Sequence, residues 1–289
     1  MAHTVQDHAS VDEFISAAGG FLEAREAEHN LLFGIASAIR STPELFADDP
    51  PRFATVTDGG GRIVAATLRT PPHNQVLSTI DDLEVVDALV EALREEPLPG
   101  VLGPTVAAAQ FAAGWTAATG RSAQVEIEER TFRLERVVPP DRPAPGTWRL
   151  AEPRDRDLVM RWVVDFTAEA LPGDGPLPDP AGTADRWIAR RGRVAYLWED
   201  GSEVVSFVGA GGDTPHGIRI GPVYTPPALR RRGYASSLTA AASADQLATG
   251  RRFCFLFTDL ANPTSNKIYQ AIGYEPVCDI DQYRFGTDA

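Results

Sequence analysis

The sequence predicts an α/β (α+β) fold of two similar halves, each a mixed, mostly antiparallel twisted sheet with helices on its faces. Two observations carry this. In each half strand-like and helix-like runs alternate after an opening hairpin, and the order of elements repeats after roughly 145 residues. A Pro-rich stretch, Pro139-Pro140-Asp141-Arg142-Pro143-Ala144-Pro145-Gly146, falls between the halves. It cannot continue a helix or an inner strand, so it reads as a stiff linker. The expected domains are 1–138 and 147–289, joined by 139–146. At 289 residues the chain is long enough for two domains with their own cores.

The elements follow in order. A helix is expected over 21–39, where apolar residues keep helical spacing. Strands are expected at 52–57 and 63–68, around the Asp58-Gly59-Gly60-Gly61 turn. Pro71-Pro72-His73 precedes a short strand at 75–77. A helix over 83–94, a short strand, a helix over 106–119 and a last strand complete the first half. The second half repeats the order. A helix over 157–170 precedes strands at 194–198 and 204–208, around Glu199-Asp200-Gly201-Ser202. A loop is expected through Gly209, Gly211, Gly212 and Pro215, where turn formers cluster. A strand over 218–224, a helix over 229–248, a short strand, a helix over 263–272 and a final strand follow.

Hydrophobic content of 43% and charged content of 23% are ordinary globular values. The formal charge of −13 argues against a nucleic-acid or anionic-membrane partner, which needs clustered basic residues. No apolar run approaches the roughly 20 residues that span a bilayer. The N-terminal MAHTVQDHAS lacks a secretory pattern, and Cys254 and Cys278 show no metal-type spacing. A reduced, cytoplasmic protein is expected. Of 27 basic residues 26 are Arg, with Lys267 the exception; this reads as genomic codon bias. Residues 1–145 carry 22 acidic and 11 basic residues, net −11, whereas residues 146–289 are near neutral at net −2.

The most informative run is Gly221 to Leu238, a strand, a Pro-Pro turn, then Arg230-Arg231-Arg232-Gly233-Tyr234-Ala235 opening a helix. The first turn of a helix leaves N–H groups without partners and carries partial positive charge. Gly233 and the small Ala235 let an anion approach the backbone, and three arginines add forked donors. The pattern suits a pyrophosphate, and it is neither a P-loop nor a dinucleotide fingerprint. The next run, Phe255 to Val277, is a strand, the Asn262-Pro263 breaker, a short helix and a Gly273 turn into a strand.

Together the two runs closely resemble the GCN5-related N-acetyltransferase (GNAT) family of acetyl-CoA-dependent enzymes. Arg230 to Ala235 matches its Gln/Arg-x-x-Gly-x-Gly/Ala loop. Asn262 to Tyr274 matches its Asn-x-x-Ser/Ala-x-x-x-Tyr-x-x-x-Gly-Phe/Tyr segment. The resemblance covers residues 146–289 and implies a tandem of GNAT-like domains, each with a splayed parallel strand pair. The cofactor would lie in that splay, often helped by a bulge in the strand before the loop. Backbone groups at Val223 and Thr225, flanking Tyr224, would hold the pantetheine arm and polarise the acetyl carbonyl. Amides of Arg231, Arg232, Gly233, Tyr234, Ala235 and Ser236 would hold the pyrophosphate, with Arg230 and Arg231 as charged supplements. Asn262, Ser265 and Asn266 match positions on the pantetheine or adenosine side. Tyr269 is the family's acid for the departing thiolate.

The first half keeps the order but not the chemistry. After Leu77 it offers Ile80-Asp81-Asp82-Leu83-Glu84, whose carboxylates would repel a pyrophosphate. It reads as a degenerate domain that does not bind CoA. The general base is open, with Glu169, Glu203, Asp259 and His216 as candidates. Trp162, Phe166 and Trp187 belong to the segment that often walls the acceptor. No histidine pair has metal-ligand spacing, so no metal is expected. The implied function is acetyl transfer from acetyl-CoA to a small-molecule amine, in a monomer or homodimer. The alternatives are a non-catalytic acyl-CoA sensor and a transferase for longer acyl chains. Surplus acid in the first half could draw cationic amines toward the acceptor entrance, or be a solvated surface.

Overall fold

The computed structural model describes residues 3–170 and 177–286. The first half contains β1 (Thr4–His8), α1 (Val11–Glu23), α2 (Asn30–Ser41), β2 (Arg52–Thr57), β3 (Ile63–Arg69), β4 (Gln75–Leu77), α3 (Glu84–Leu93), β5 (Gly100–Pro104), α4 (Thr105–Thr119) and β6 (Ala123–Leu134). The second contains β7 (Thr147–Leu150), α5 (Arg156–Ala170), α6 (Pro180–Ile188), β8 (Arg193–Asp200), β9 (Glu203–Asp213), β10 (Gly217–Tyr224), α7 (Tyr234–Ala248), β11 (Phe253–Asp259), α8 (Pro263–Ala271) and β12 (Glu275–Phe285). Among the described residues no helix is long and apolar enough to cross a membrane.

The chain divides into two compact units, and the division departs from the sequential one at the C-terminus. Unit 1 takes residues 1–131, 258–261 and 277–289; unit 2 takes 132–257 and 262–276. The reason is strand pairing. β12 runs antiparallel to β5, registering Ile280 with Pro104 through Arg284 with Gly100. Thr105 Oγ1 donates to Asp281 at 3.0 Å, and Arg121 Nε donates to the Gly286 carbonyl at 2.6 Å. Phe285 stacks on Trp115, ring centroids 5.3 Å apart, inside the unit 1 core.

Unit 1 orders its strands β1-β2-β3-β4-β5-β12. β4 and β5 form its parallel pair, Gln75 with Val101 and Val76 with Leu102. β1 is an addition that the sequence reading missed, because its polar TVQDH run has little apolar alternation. The single helix expected over 21–39 is two. The Leu22 carbonyl accepts from His29 Nδ1 at 2.9 Å and from the Arg25 N–H, so the helical ladder stops there. His29 is 1% exposed, and its Nε2 accepts the Thr79 N–H at 3.0 Å.

Unit 2 orders β11-β10-β9-β8-β7. One face packs on α7 and α8 through residues such as Tyr196, Val208, Ile220, Leu238 and Tyr269. The other packs on α5 and α6 through Trp162, Trp187, Leu197, Phe207 and Tyr224. The segment expected as a Gly-rich loop, 209–212, is the end of β9. A Cβ on Gly209 would stand 2.4 Å from Trp187 and 2.7 Å from the Gly221 carbonyl. These glycines admit close neighbours in a strand rather than make a turn. The Pro-rich linker is docked, not free-standing: Ser237 Oγ accepts the Ala144 N–H at 2.9 Å, and Trp198 Nε1 donates to Pro145 O at 2.8 Å.

Burial holds the His29 pKa below its ordinary value, the Leu22 carbonyl only partly offsetting it. The folded state therefore keeps the ring neutral while the unfolded state takes up a proton. Stability from this group is complete above the unfolded pKa of about 6.5 and falls as pH drops through it toward the depressed folded value. Urea midpoints should fall from pH 7.5 to 5.5, with a slope of up to about 1.4 kcal/mol per pH unit from this ring. His29→Gln should flatten that dependence; an unchanged slope would place the proton uptake elsewhere.

Candidate active site

β10 is the strand from which the site is built. It pairs in parallel with β11 only from Gly217–Phe253 to Arg219–Phe255, although β10 runs on to Tyr224 and β11 to Asp259. The two strands part after Arg219. On the other side β10 pairs with β9 through two irregularities, one extra residue on β9 between Asp213 and Gly211 and one on β10 between Ile220 and Val223. That bulge at Gly221-Pro222 bends the strand and reverses which residues face which side. Ile218 and Ile220 pack toward α7, and after the bulge Val223 does so, while Tyr224 turns to the α5 face. Both the bulge and the splay match what the resemblance implied.

Ser206 Oγ donates to the Tyr224 carbonyl at 3.1 Å and shares a hydrogen bond with Thr225 Oγ1 at 2.8 Å, fixing the end of β10 against β9. Successive carbonyls along a strand point to opposite sides. With Tyr224 C=O on the β9 side, the peptide groups of Val223 and Thr225 face the side that β11 has left.

After β10 the chain makes a short helical turn at 227–229 and then the arginine loop. Arg231 and Gly233 both adopt left-handed backbone, φ +66° and +86°, and Gly233 immediately precedes α7. As Gly233 has no side chain, nothing on that residue caps the first turn of α7. Its N–H groups are the donors an anion would meet. Tyr234 OH donates to Asp200, which anchors the turn and raises the phenol's pKa. Ala235 and Ser236 lie half-buried in the same turn.

The three arginines divide their tasks. Arg230 is a strut: Nε donates to Thr225 O at 2.8 Å, Nη2 meets Glu169 at 2.6 Å, and its guanidinium stands 5.9 Å from the Tyr224 ring centroid. Arg231 and Arg232 are exposed, and neither has an acidic partner among the described residues. Arg232 reaches back to the Ala228 carbonyl at 3.4 Å. This donor set, an uncapped helix start with two unneutralised guanidiniums, fits a pyrophosphate.

In α8, Asn262 caps the helix, its Oδ1 accepting the Ser265 N–H at 3.1 Å, and Asn266 Nδ2 donates to Asn262 O at 2.9 Å. These amides therefore hold the turn that presents Tyr269. Tyr269 is 9% exposed and packs edge-on to Tyr274 at 6.1 Å. Its hydroxyl has no hydrogen bond among the described residues, and burial pushes its pKa up to about 12. Tyr274, by contrast, is tied off by Ser243 at 2.8 Å.

Of the base candidates, Glu169 is paired with Arg230, Glu203 sits exposed at the β8–β9 turn, and Asp259 accepts the Ala261 N–H at 2.6 Å. His216 gives its carbonyl to the Arg252 and Phe253 N–H groups. Sequence reasoning missed Asp165, which accepts from Tyr224 OH at 3.4 Å. Its signal was available: Asp165 and Glu169 are four apart on one helix face. Trp162 lies tilted against Tyr224 at 6.0 Å and Trp187 edge-on to Phe207 at 5.7 Å, while Phe166 packs against the same core.

The corresponding loop of unit 1 is filled by the chain itself. Asp81 is forked by Arg25 through two bonds of 2.9 Å, and Asp82 Oδ1 accepts the Glu84 N–H at 3.1 Å. The helix start that would meet a phosphate already meets carboxylates.

Residues 160–274 match the family described as the Acetyltransferase (GNAT) family. The chain thus carries a GNAT-family acetyltransferase domain in its second half. Solved structures extend the likeness in fold to the whole chain. A Drosophila protein superposes with a TM-score of 0.68 at 16% identity, over 98% of each chain. A GCN5-related N-acetyltransferase from Sphaerobacter thermophilus gives 0.59 at 17% identity, over 99% of this chain and 98% of that one. A tandem GNAT protein from the clavulanic acid biosynthesis pathway gives 0.55 at 12% identity, over 100% of both. No curated protein matches the chain.

Gly233→Ala tests the loop. A Cβ at φ +86° is strained by about 1–2 kcal/mol, which the loop relieves by turning its amides. Calorimetry with coenzyme A as the probe should show a Kd about tenfold weaker, with helix content retained. An unchanged Kd would remove the loop from phosphate binding.

Proposed function

We propose that the chain transfers the acetyl group of acetyl-CoA to a primary amine of a small-molecule acceptor, by direct attack in a ternary complex. The observation that carries this reading is Tyr269, a largely buried phenol without a hydrogen-bond partner, held on the helix that follows the parted strands. A core tyrosine of purely structural role would have its hydroxyl satisfied. Here the ring is buried while the unpartnered hydroxyl is not among the buried polar atoms, so it reaches the surface, where a ligand can meet it.

The residues take distinct parts. Amides from Arg231 to Ser236, with Arg231 and Arg232, would hold the pyrophosphate of acetyl-CoA. Peptide groups at Val223 and Thr225 would bind the pantetheine arm and stand where a carbonyl oxygen gathers negative charge. Acetyl-CoA supplies the activated thioester. Tyr269, with its pKa pushed to about 12, stays protonated across the physiological range and can donate to a departing thiolate. Holding amine and thioester together supplies the effective concentration. Asp165 and Glu169, which contact Tyr224 and Arg230 at the splayed end of β10, are carboxylates that can take up the amine's proton, directly or through water.

Tyr269→Phe decides between turnover and mere binding. Single-turnover and steady-state assays over an amine panel should show kcat reduced about 100-fold, with the acetyl-CoA Kd within a factor of two. Equal kcat in the variant would take the acid role from Tyr269. Acetyl-CoA binding without transfer to any amine would favour the sensor reading instead.

A further inference from the structure

Unit 2 contains a cluster of arginines that the mechanism above does not use. Arg193 opens β8, and its guanidinium stacks 5.0 Å from the centroid of the Trp187 ring. It is half-buried, yet it has no acidic partner among the described residues. Its charged neighbours are arginines: Arg219 on β10 and Arg186 on α6. Burial first, and then these two charges, push its pKa down to about 10. A guanidinium withdrawn from water without a carboxylate is costly, and proteins rarely leave one so.

The sheet register shows what lies around it. Gly211 on β9 is opposite both Arg193 on β8 and Arg219 on β10. Residues directly across a sheet share a face, so the two arginines flank a position without a side chain. This is the α5/α6 face, to which Leu197 and Phe207 also belong. The next same-face position on β9 is Gly209, which abuts Trp187 and the Gly221-Pro222 bulge. Both glycines are closely covered, Gly209 by Trp187 and the bulge and Gly211 by Arg193 itself, beside the place where β10 and β11 part. Arg186 stands on the α6 side of Arg193, paired with Asp179 at 3.5 Å and donating to Thr183 at 2.8 Å, while its Nε is buried without a hydrogen-bond partner. Arg219 reaches over Phe257, centroid 5.7 Å away, on the parted stretch of β11.

The surroundings of Arg193 are not the phosphate site. The arginine loop follows the other end of β10, and Arg219 to Thr225 spans six residues at about 3.3 Å each. An anion at Arg193 would lie on the α5/α6 face, level with the last paired residue of β10 and away from the arginine loop. A planar guanidinium on an aromatic platform favours a planar, two-oxygen partner.

We infer that Arg193, stacked on Trp187 and set beside Arg219 over Gly209 and Gly211, binds a carboxylate of the acceptor, so that the acceptor is an amino acid or another amine carrying a carboxylate. This rests on the acetyltransferase reading and narrows its substrate class. It also means that the acceptor need not be a net cation.

The test compares matched amine pairs with acetyl-CoA: phenylalanine with phenethylamine, lysine with cadaverine, alanine with ethylamine. The wild type should prefer at least one carboxylate-bearing member over its partner by tenfold or more in kcat/KM. Arg193→Met should bring that ratio to within about threefold and leave the acetyl-CoA KM unchanged. Decarboxylated amines used as well as or better than their partners throughout, or a ratio untouched by the variant, would overturn the proposal. A binding arm needs no turnover. N-acetylglycine at millimolar concentration should raise the melting temperature of the wild type, N-methylacetamide should not, and Arg193→Met should respond to neither. Without ligand, Arg193→Met should melt higher than the wild type, since it removes an uncompensated charge. A lower melting temperature together with no response of the wild type to N-acetylglycine would make Arg193 a structural residue and end the proposal. If no amine is acetylated but the binding arm succeeds, the acetyltransferase reading fails while the carboxylate subsite stands.

Discussion

One extra residue in one strand organises the second unit. The bulge at Gly221-Pro222 lies just past the point where β10 and β11 stop pairing, and the rest of the site follows from it. It turns Tyr224 onto the face of α5, where Asp165, Glu169 and Trp162 stand. It leaves the peptide groups on the parted side of β10 without a neighbouring strand. It also crowds Gly209, so that no larger residue fits there. A regular ladder would satisfy every backbone group and leave nothing for a ligand to pair with. The unit gives up part of its sheet at one place, and that place is the candidate site.

Arginine is so common in this chain that composition alone gives no reason to single one out. The structure separates three uses. Arg149, forked against Asp155 and reaching Glu199, is a structural clamp at β7. Arg230 is a brace between the loop and α5. Arg231 and Arg232 are left open at the head of α7. The same side chain serves differently according to whether an acid, a carbonyl or open solvent faces it, which sequence position alone does not state.

What could be read from the sequence was local. The arginine loop and the Asn262–Tyr274 segment are each a strand, a breaker and a helix within some twenty residues, and near neighbours in sequence decide such turns. What escaped was decided at a distance. Gly209 and Gly211 look like turn residues until Trp187 and Arg193 are packed above them. The helix break after Leu22 depends on a hydrogen bond to His29, and that ring is held in place by Thr79, fifty residues on. The pairing of β12 with β5 joins residues some 180 positions apart, and no periodicity in either strand announces it.

That last pairing has a consequence for how the protein is made. A chain emerging from the ribosome exposes its N-terminal residues first, and domains usually fold as they appear. Unit 1 cannot finish in that order. Its sheet ends at β5 until the last dozen residues arrive, leaving an unpaired strand edge while all of unit 2 is synthesised. The nascent protein therefore carries an open sheet edge for most of its synthesis, and a chain that stops short of β12 lacks a strand in the half that was translated first.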